Sequence, residues 1–435
     1  MTYCDKKLSQ YVYFFIQEKT VPTRISSQYN NNQTQTNLRR QEIRKAKIDN
    51  QIGTGSRIAN LRDDPLAAGH VVKYSSYAAR LNNFEKNAQV LTDQFSYREG
   101  YLKNSLEVMQ RVRELAVTGA HGVYNRDDMR NMAVEVDQLL GELLQNANAI
   151  TPEGNSLFAG TNTNIRAFDV ELGAVPGSSV PIVASVHYNG SIDQNKIEVD
   201  EGKFVTVDNV GTRTFWAENQ RLFGGRDASN WQAQQDGIVA IDGQKIFVDT
   251  GDNIYTLVSK INSSGIAVKA SVDPIKHALN LSTTDAHQLW IEDVSGTSMY
   301  DLGIIKDSTQ KPPYNLGDSV RVSGGSLFDA VITLRDAMYA GDQETIGGRC
   351  LMTLDSGINN LVTHLAKSGS QYERLENDMI RNSATALNVK QQQSREGDVD
   401  ITKALTDEKM LEYTQQATLN TAGKMYNSTL LNYMR

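Results

Sequence analysis

Two adjacent carboxylates, Asp63 and Asp64, are the first side chains in this sequence whose spacing could support acid–base chemistry. Paired carboxylates can share a proton and act as general acid and general base. However, Asp64 stands directly before Pro65, an order typical of a helix start. The carboxylate accepts free N–H groups of the first turn, and Pro gives up an N–H that has no partner there. We therefore interpret Asp64 as a helix cap, and Gly53 and Gly55 as the residues that let the chain change direction before it.

A second candidate for catalysis is the run 247–251, Phe-Val-Asp-Thr-Gly. Aspartic proteases carry this pattern, but they need two such aspartates that share one proton. The chain has one copy, so a second would have to come from a dimer, and the accompanying protease segments are not visible. A strand that ends at a helix cap explains the same residues. We therefore expect no catalytic residues and no enzymatic activity.

The other side chains that hold metals or phosphates in proteins lack the spacing such sites need. The two cysteines, Cys4 and Cys350, and six scattered histidines form neither a disulfide framework nor a metal-ligand pattern. The glycine pairs at 324–325 and 347–348 lack the Lys and the following Ser or Thr of a phosphate-binding loop. The sequence therefore predicts no cofactor and no metal.

The charge balance argues against a nucleic-acid-binding surface, because the formal net charge of the 435 residues is −7. One basic cluster is expected to be a solvated or interhelical face; it comprises Arg39, Arg40, Arg44, Lys45 and Lys47. No apolar run approaches the roughly 18 residues of a membrane span. We therefore expect no nucleic-acid partner and no membrane insertion.

The elements that position these residues are predicted by proline-free stretches and by heptad spacing. No Pro occurs between Leu66 and Thr151, or after Pro313. From residue 67 to residue 116 apolar residues recur every three or four positions, which predicts a coiled-coil-like helix of roughly 75 Å. Its stripe comprises Tyr74, Tyr77, Leu81, Phe84, Ala88, Leu91, Phe95, Leu102, Met109, Val112 and Ala116. A second helix follows a polar turn at 125–128, with Met129, Met132, Val136, Leu139, Leu143 and Ile150 on one face. A C-terminal helix carries Leu351, Leu354, Ile358, Leu361, Leu365, Tyr372, Leu375 and Met379, and Gly397 with Asp398 ends it.

Weaker amphipathic segments precede and follow these helices, at 25–52 and 400–435. The first carries a thin stripe of Ile25, Leu38, Ile48 and Ile52, diluted by Asn and Thr. The second carries Leu405, Leu411, Leu419, Met425, Leu430 and Leu431. Neither can bury much surface alone, so we expect both arms to be marginal in a monomer and to order by packing against neighbouring subunits.

The middle of the chain changes character and predicts a mostly β insertion. Strands are expected at 181–188, 196–199, 204–207, 237–241, 245–249, 266–272, 278–282 and 289–292. Asn189-Gly190, Glu201-Gly202 and Asp242-Gly243 are turn signals, and the first is interpreted as a hairpin turn. Asp252 is expected to cap a short helix that carries Ile254, Leu257, Val258 and Ile261 on one face.

Several of these segments resemble bacterial flagellins and their relatives. Residues 53–69, GTGSRIANLRDDPLAAG, form a joint before the long helix. The joint matches the family at Arg57, Ile58, Asn60, Asp63, Asp64, Ala68 and Gly69, with Ala59 where the family has Asn. Residues 111–117, RVRELAV, reproduce a flagellin heptapeptide that includes Arg111, Arg113, Glu114 and Leu115. Residues 372–377 and 430–434 resemble C-terminal flagellin segments, and the hairpin, helix and strands of 237–292 resemble an insertion module of the family. The turn at 154–163, GNSLFAGTNT, resembles the hook-associated branch more than flagellins proper.

The resemblance implies a structural subunit exported by the flagellar type III apparatus. We expect a junction between hook and filament, on an extracellular flagellum or on a periplasmic one if the flagellum is internal. The implied partners are further copies of the chain, a neighbouring hook-associated protein, flagellin, and an export chaperone on the C-terminal arm. Two alternatives remain open: a flagellin-type filament subunit, and a secreted adhesin or hydrolase carried by the insertion.

The predicted fold class is α+β: an elongated, antiparallel, coiled-coil-like helical rod formed by the N- and C-terminal segments, with a mostly β insertion domain. Residues 21–60 with 398–435 are the terminal arms, and 61–165 with 322–397 form the rod. Residues 166–321 are the insertion. Residues 1–20 are expected to be a non-native extension, with Val21 as the natural start, because family members begin close to the sequence found here at 24–26.

Overall fold

The computed structural model describes residues 27–176, 178, 180–207, 210–306 and 310–431. Within these, the chain divides into two compact units, one formed by residues 27–80 with 386–431 and the other by residues 81–385. The expectation for residues 1–20 and the site residue Ile25 lie outside the described residues. The side chains of Met425, Leu430 and Leu431 are also outside the description.

Helices dominate both ends of the chain, as the heptad pattern predicts. In order, the helices are α1 (Ser27–Thr54), α2 (Pro65–Ala120), α3 (Arg126–Ala147), α4 (Gly211–Thr214), α5 (Ile254–Ser263), α6 (Ser298–Asp301), α7 (Leu327–Ala340), α8 (Gln343–Thr345), α9 (Leu351–Gly397) and α10 (Ile401–Leu431). A π-helical turn, Ile346–Cys350, precedes α9. The long helices therefore begin and end close to the predicted residues.

Local caps account for several of these helix ends. Asp64 caps α2 as predicted, because its Oδ1 accepts the backbone N–H of Ala67 at 3.1 Å. Asn125 starts α3 with a capping box, in which its side chain accepts from Asp128 and the Asp128 carboxylate accepts from the N–H of Asn125. Gly341 ends α7 in the left-handed conformation, with φ of 74°.

The long helices α2 and α9 run antiparallel, with side chains meeting along a 3–4 spaced seam in the unit of residues 81–385. Arg113 Nε donates to Asp355 Oδ1, and Thr92 Oγ1 donates to Met379 Sδ. The buried positions of α2 in this unit are Leu81, Ala88, Leu91, Phe95, Arg98, Leu102, Ser105, Val108, Met109, Val112, Leu115 and Ala116. The predicted coiled-coil-like helix is thus present, although Arg98 and Ser105 put polar groups into its buried stripe.

A second layer forms where α3 and α7 pack beside the seam. Phe158, Phe168, Phe215 and Phe328 meet there with ring centroids 4.9 to 5.8 Å apart. A fully buried Arg335 on α7 donates to Asp137 of α3 at 2.7 Å and to its neighbour Asp336. The aromatic cluster joins segments that are far apart in sequence, so it ties the middle of the chain to the helices.

The strands of the middle form four small antiparallel sheets. They are β1 (Phe168–Gly173), β2 (Ile182–Tyr188), β3 (Asn195–Asp200), β4 (Lys203–Val207), β5 (Arg221–Phe223), β6 (Gly237–Ile241), β7 (Gln244–Val248), β8 (Val268–Val272), β9 (Leu279–Thr283), β10 (Ile291–Ser295) and β11 (Arg321–Ser323). The sheet orders are β1–β2, β3–β4, β10–β6–β7 and β11–β5–β9–β8. Long helices with small antiparallel sheets confirm the predicted α+β class.

These sheets divide between two cores. The last two sheets enclose a core of their own with α5, built from residues between 222 and 305. The β3–β4 hairpin instead packs on both long helices through Val199 and Val207, and Lys203 forms an ion pair with the buried Asp378 of α9. The sheet β1–β2 packs against the α3–α7 layer. The domain boundaries given above stay a prediction.

Three local predictions are wrong. Asn189-Gly190 is not a hairpin turn, because β2 pairs backwards with β1, with Phe168 opposite Tyr188. The helix α5 is capped by Asn253, whose Oδ1 accepts the N–H of Thr256, whereas Asp252 accepts the N–H of Asp249.

The third error concerns Ile150, which is not on the buried face of α3. This helix ends at Ala147, since the Asn148 side chain pairs with both the N–H and the carbonyl of Phe168. Ile150 lies beyond this stop and is 60% exposed.

Candidate functional site

The predicted joint brings the ends of four helices together. Within the unit of residues 27–80 with 386–431, Arg57 N donates to Gly397 O at 2.8 Å and Val399 N donates to Gly55 O at 3.0 Å. Gly55 has φ of 70°, so glycine suits the change of direction predicted there. The two interhelical loops therefore run side by side between the arms and the long helices.

Two carboxylates of the joint have structural rather than catalytic partners. A hydrogen bond from Lys47 lowers the pKa of Asp63, whose carboxylate also accepts the N–H of Asn60. The N–H of Ala67, and then Arg57, lower the pKa of Asp64. Each carboxylate is thus held ionised by its own donors and shares no proton with the other. The interpretation of Asp64 as a cap is confirmed.

The arms α1 and α10 pair with each other along a seam of 3–4 spacing. On α1 the half-buried positions are Asn31, Thr34, Leu38, Gln41, Lys45, Ile48, Gln51 and Ile52. On α10 the buried and half-buried positions include Ala404, Glu408, Leu411, Glu412, Gln415, Thr418 and Ala422. More than half of these side chains are polar, which is unusual for a helix-pairing seam.

Polar contacts cross this seam at two levels. Lys45 Nζ lies 3.0 Å from Glu412 Oε1, and Gln41 Nε2 donates to Thr418 Oγ1 at 3.2 Å. Lys409 first, and Lys45 second, lower the pKa of Glu412. The basic cluster thus places one member, Lys45, at the interhelical face.

The predicted arm residues fall into two sets. Leu38, Ile48, Ile52 and Leu411 face the partner arm and are half-buried. Leu405 and Leu419 lie beside the seam and are 45% and 52% exposed. The structure also leaves Ile43, Met410 and Tyr413 exposed on the arms. The spacing did not predict these three, since Ile43 lies off the stripe of α1, and Met410 and Tyr413 lie off the stripe that includes Leu411.

The heptapeptide at 111–117 links three helices. Arg111 pairs with Glu135 of α3 at 2.7 Å and with Glu114 at 3.1 Å, and Arg113 pairs with Asp355 of α9 at 2.5 Å. Leu115 is buried between these surface pairs. Because the ion pairs are about half exposed, they orient the helices more than they stabilise them.

The loop at 154–163 closes on itself and is anchored by its aromatic residue. Ser156 N donates to Thr163 O at 2.7 Å, and Phe158 is fully buried in the aromatic cluster. Gly160 has φ of 67°, and a Cβ there would clash with the carbonyl oxygen of Ser191. Only glycine fits this position, which gives a physical reason for the Phe-x-Gly order.

In the possible catalytic run at 247–251, the aspartate side chain is paired with a lysine. Asp249 is exposed and forms an ion pair with Lys260 at 2.7 Å, and Lys260 also pairs with Asp252. Thr250 donates to Asp236, so the run ends β7 and leads into α5. This is the strand and helix cap arrangement that the sequence allows.

A serine, a histidine and a carboxylate meet on the β1–β2 sheet. His187 Nε2 lies 3.0 Å from Ser185 Oγ and 3.4 Å from Glu171 Oε2, and Ser185 also donates to Glu171. In a catalytic triad the carboxylate and the hydroxyl use opposite nitrogens of the imidazole. Here both partners use Nε2, so the cluster is a surface hydrogen-bond network and not a triad.

In the part of the chain that the structure describes, no group of three or more His, Cys, Asp or Glu side chains is arranged to hold a metal ion. Among the helices of that same part, none combines the length and apolar character needed to cross a membrane.

The class of protein follows from comparison of this chain with known families. The family model of the bacterial flagellin N-terminal helical region matches residues 25–163, which include α1, the joint, α2, α3 and the loop at 154–163. The helical region from which the motifs were read is therefore similar to that of the flagellins.

Comparison with individual proteins shows which flagellar proteins this chain is similar to. The chain is 24% identical over 324 residues to flagellar hook-associated protein 3 of Salmonella typhimurium, a match that covers 73% of this chain and 94% of the relative. It is 26% identical over 192 residues to flagellar hook-associated protein 3 of Escherichia coli, covering 44% of this chain and 56% of the relative. The crystal structure of hook-associated protein 3 from Legionella pneumophila aligns with 75% of this chain and 98% of that one, at 16% identity and a TM-score of 0.45.

The match to the Escherichia coli protein spans just over half of that relative's length, whereas the match to the Salmonella protein spans nearly all of it. The chain is thus a relative of flagellar hook-associated protein 3, and the resemblance predicted from its motifs is confirmed. The relatives' names describe structural flagellar proteins and not enzymes.

Proposed function

We propose that this chain is a structural subunit of the bacterial flagellum that joins hook and filament, and that it polymerises through its terminal helices. The observation that carries this proposal is the arm pair α1–α10. Its seam is mostly polar, while apolar side chains lie exposed outside the seam. A helix pair of this kind is stabilised more by packing against other helices than by the contacts between its own two helices.

The exposed apolar side chains identify the packing surfaces. Tyr413 and Met410 are 73% and 68% exposed on α10, and Leu405 and Leu419 flank the seam on the same helix. In the assembly these side chains pack against arms of neighbouring copies, so that folding of the arms and assembly are coupled. The prediction that Met425, Leu430 and Leu431 also pack against neighbouring subunits falls on side chains outside the described residues.

The partners follow from this role. The chain contacts further copies of itself, a neighbouring hook-associated protein and flagellin. An export chaperone covers the C-terminal arm before export by the flagellar type III apparatus. The site of action is the flagellum outside the cell body, or the periplasm if the flagellum is internal.

Deletion of the gene in the bacterium that carries it tests the role directly. Negative-stain images of the deletion strain should show hooks without filaments, with flagellin shed into the medium. Complementation with the Leu405→Ala, Leu419→Ala double variant should fail to restore filaments. The matched control is the Phe247→Ala, Ile275→Ala double variant, which removes two exposed apolar side chains from the middle and should restore them. Normal filaments in the deletion strain would contradict the junction role.

A second candidate, a filament subunit of the flagellin type, is favoured by the match of residues 25–163 to the flagellin helical region. The two functions differ in where the chain resides. Immunogold labelling should place it in one narrow band at the hook–filament boundary. Label along the whole filament would support the flagellin type instead.

A further inference from the structure

The loops of the joint share few backbone contacts. The hydrogen bonds between Arg57 and Gly397 and between Val399 and Gly55 form one isolated antiparallel bridge, which pairs Ser56 with Asp398. Two backbone hydrogen bonds contribute only about 1 kcal/mol each. Such a short ladder cannot by itself fix how two helical arms leave the joint.

The guanidinium of Arg57 adds three further hydrogen bonds at the same place. Its Nε and Nη2 donate to the carbonyl oxygen of Glu396 at 3.1 and 2.8 Å. That carbonyl belongs to the last turn of α9, whose carbonyl groups have no partner within the helix. The third nitrogen, Nη1, donates to Asp64 Oδ2 at 3.2 Å, and Asp64 is the cap of α2.

The charges at these two helix ends have the favourable signs. The C-terminal end of a helix attracts a cation and the N-terminal end attracts an anion. Arg57 supplies the cation at the end of α9, and Asp64 supplies the anion at the start of α2. One planar side chain thus joins the two helix ends and bonds the capping carboxylate.

Neighbouring contacts hold Arg57 in this position. Gln51, in the last turns of α1, donates from Nε2 to the carbonyl oxygen of Arg57 at 2.6 Å. The carboxylate of Glu396 is in turn bonded to the ring of His70 on α2, with Nδ1 2.9 Å from Oε2. The backbone and side chain of Arg57 therefore contact α1, the start of α2 and the end of α9.

We propose that Arg57 is the positioning residue of the joint, because it fixes the start of α2 and the end of α9 relative to each other. The role needs the fork geometry of a guanidinium, whose donors are fixed in a plane. A lysine has one nitrogen, so it can neutralise Asp64 or bond Glu396 but cannot reproduce the three bonds. The proposal concerns the monomer and does not depend on the flagellar role.

The test is amide hydrogen exchange on the full-length soluble monomer. Arg57→Ala and Arg57→Lys should both speed exchange of the Val399 and Ala67 amides roughly tenfold or more, because charge-assisted hydrogen bonds are lost. The matched control is Arg62→Ala, which removes an exposed arginine from the same loop and should leave both amides unchanged. Wild-type exchange in Arg57→Lys, or an equal effect of Arg62→Ala, would overturn the proposal.

A second variant tests whether the link runs through Asp64. Asn is as good a helix cap as Asp, so Asp64→Asn keeps the cap and removes the charge that Arg57 contacts. Combined with Arg57→Ala, it should speed exchange at Val399 no further than Arg57→Ala alone, since the two residues act as one unit. Additive effects at Val399 would mean that the two residues act separately, and the coupling would be wrong.

Discussion

At the residue scale, the strongest electrostatic feature of the described chain is a buried histidine in the middle. His287 Nε2 lies 2.9 Å from Asp242 Oδ2, and its Nδ1 lies 2.8 Å from Asp285 Oδ1. Burial by itself would lower the pKa of His287, but the two carboxylates outweigh it and raise the pKa to about 9. Asp242 also accepts the N–H of Trp290, so the ion pair ties the β6–β7 turn to the segment before β10.

This pair predicts a loss of stability at alkaline pH. A histidine whose pKa is higher in the folded chain than in the unfolded chain stabilises the fold fully below the unfolded value of about 6.5. The contribution, on the order of 3 kcal/mol, is lost as pH rises from 6.5 through 9. Thermal unfolding between pH 7 and 10 should therefore show a falling melting temperature for the middle, and His287→Gln should flatten that slope.

The pH range of this experiment separates the titration of His287 from that of Asp293, a half-buried acid in β10. Burial raises the pKa of Asp293 to about 6, so its contribution is complete below the unfolded value and is already lost above pH 7. If the melting temperature of His287→Gln falls as steeply with pH as that of the wild type, the buried ion pair does not cause the loss of stability at alkaline pH.

At the element scale, α5 and α10 are both amphipathic but bury their apolar faces differently. Ile254, Leu257 and Ile261 of α5 are fully buried over β7 and β8. Leu405 and Leu419 of α10 leave about half of their surface in solvent. A helix face that is covered within the subunit contributes to monomer stability, whereas an uncovered face contributes only when a partner covers it.

Matched leucine truncations should separate these two cases. Leu257→Ala should lower the free energy of unfolding of the middle by ~2–5 kcal/mol, because it leaves a cavity in a closed core. Leu405→Ala with Leu419→Ala should change monomer unfolding by less than about 0.5 kcal/mol. Calorimetry of the soluble monomer measures both. A large loss in the arm variant would mean that the arm belongs to the core of the subunit.

At the scale of the whole molecule, the two helix-pairing seams differ in composition. The α2–α9 seam within residues 81–385 buries Leu91, Phe95, Leu102 and Met109 completely or nearly so. The α1–α10 seam has Leu411 as its largest apolar side chain on α10 among those described. Regions with few buried apolar contacts open with the lowest free energy.

The rate of hydrogen exchange in the monomer should therefore differ between the arms and the α2–α9 seam. Amides of residues 31–52 and 401–424 should exchange roughly a hundredfold or more faster than those of residues 81–117. The measurement is peptide-resolved mass spectrometry at neutral pH, with the core of α5 as an internal reference. Equal protection of the arms and the α2–α9 seam would refute the coupling of arm folding to assembly.

The sequence by itself determined the features that depend on local spacing. Heptad periodicity placed α2 and α9 within a few residues, and Asp64-Pro65 and Gly397-Asp398 marked the joint, because capping and backbone freedom are properties of neighbouring residues. The short apolar strand β6, the strand β7 and their Asp-Gly turn were local in the same sense.

The tertiary structure alone decided which partners these elements have. β1 was not predicted, although Phe168, Val170 and Leu172 alternate with acidic residues, and only the structure shows that its partner is β2. The β3–β4 hairpin joins the helices rather than the middle, since its apolar face fits between α2 and α9. Arg57 belongs to a segment that resembles a family motif, yet the residue it bonds, Glu396, lies 339 residues away along the chain. Spacing along the chain carries no information over such distances, so only folding could bring these groups together.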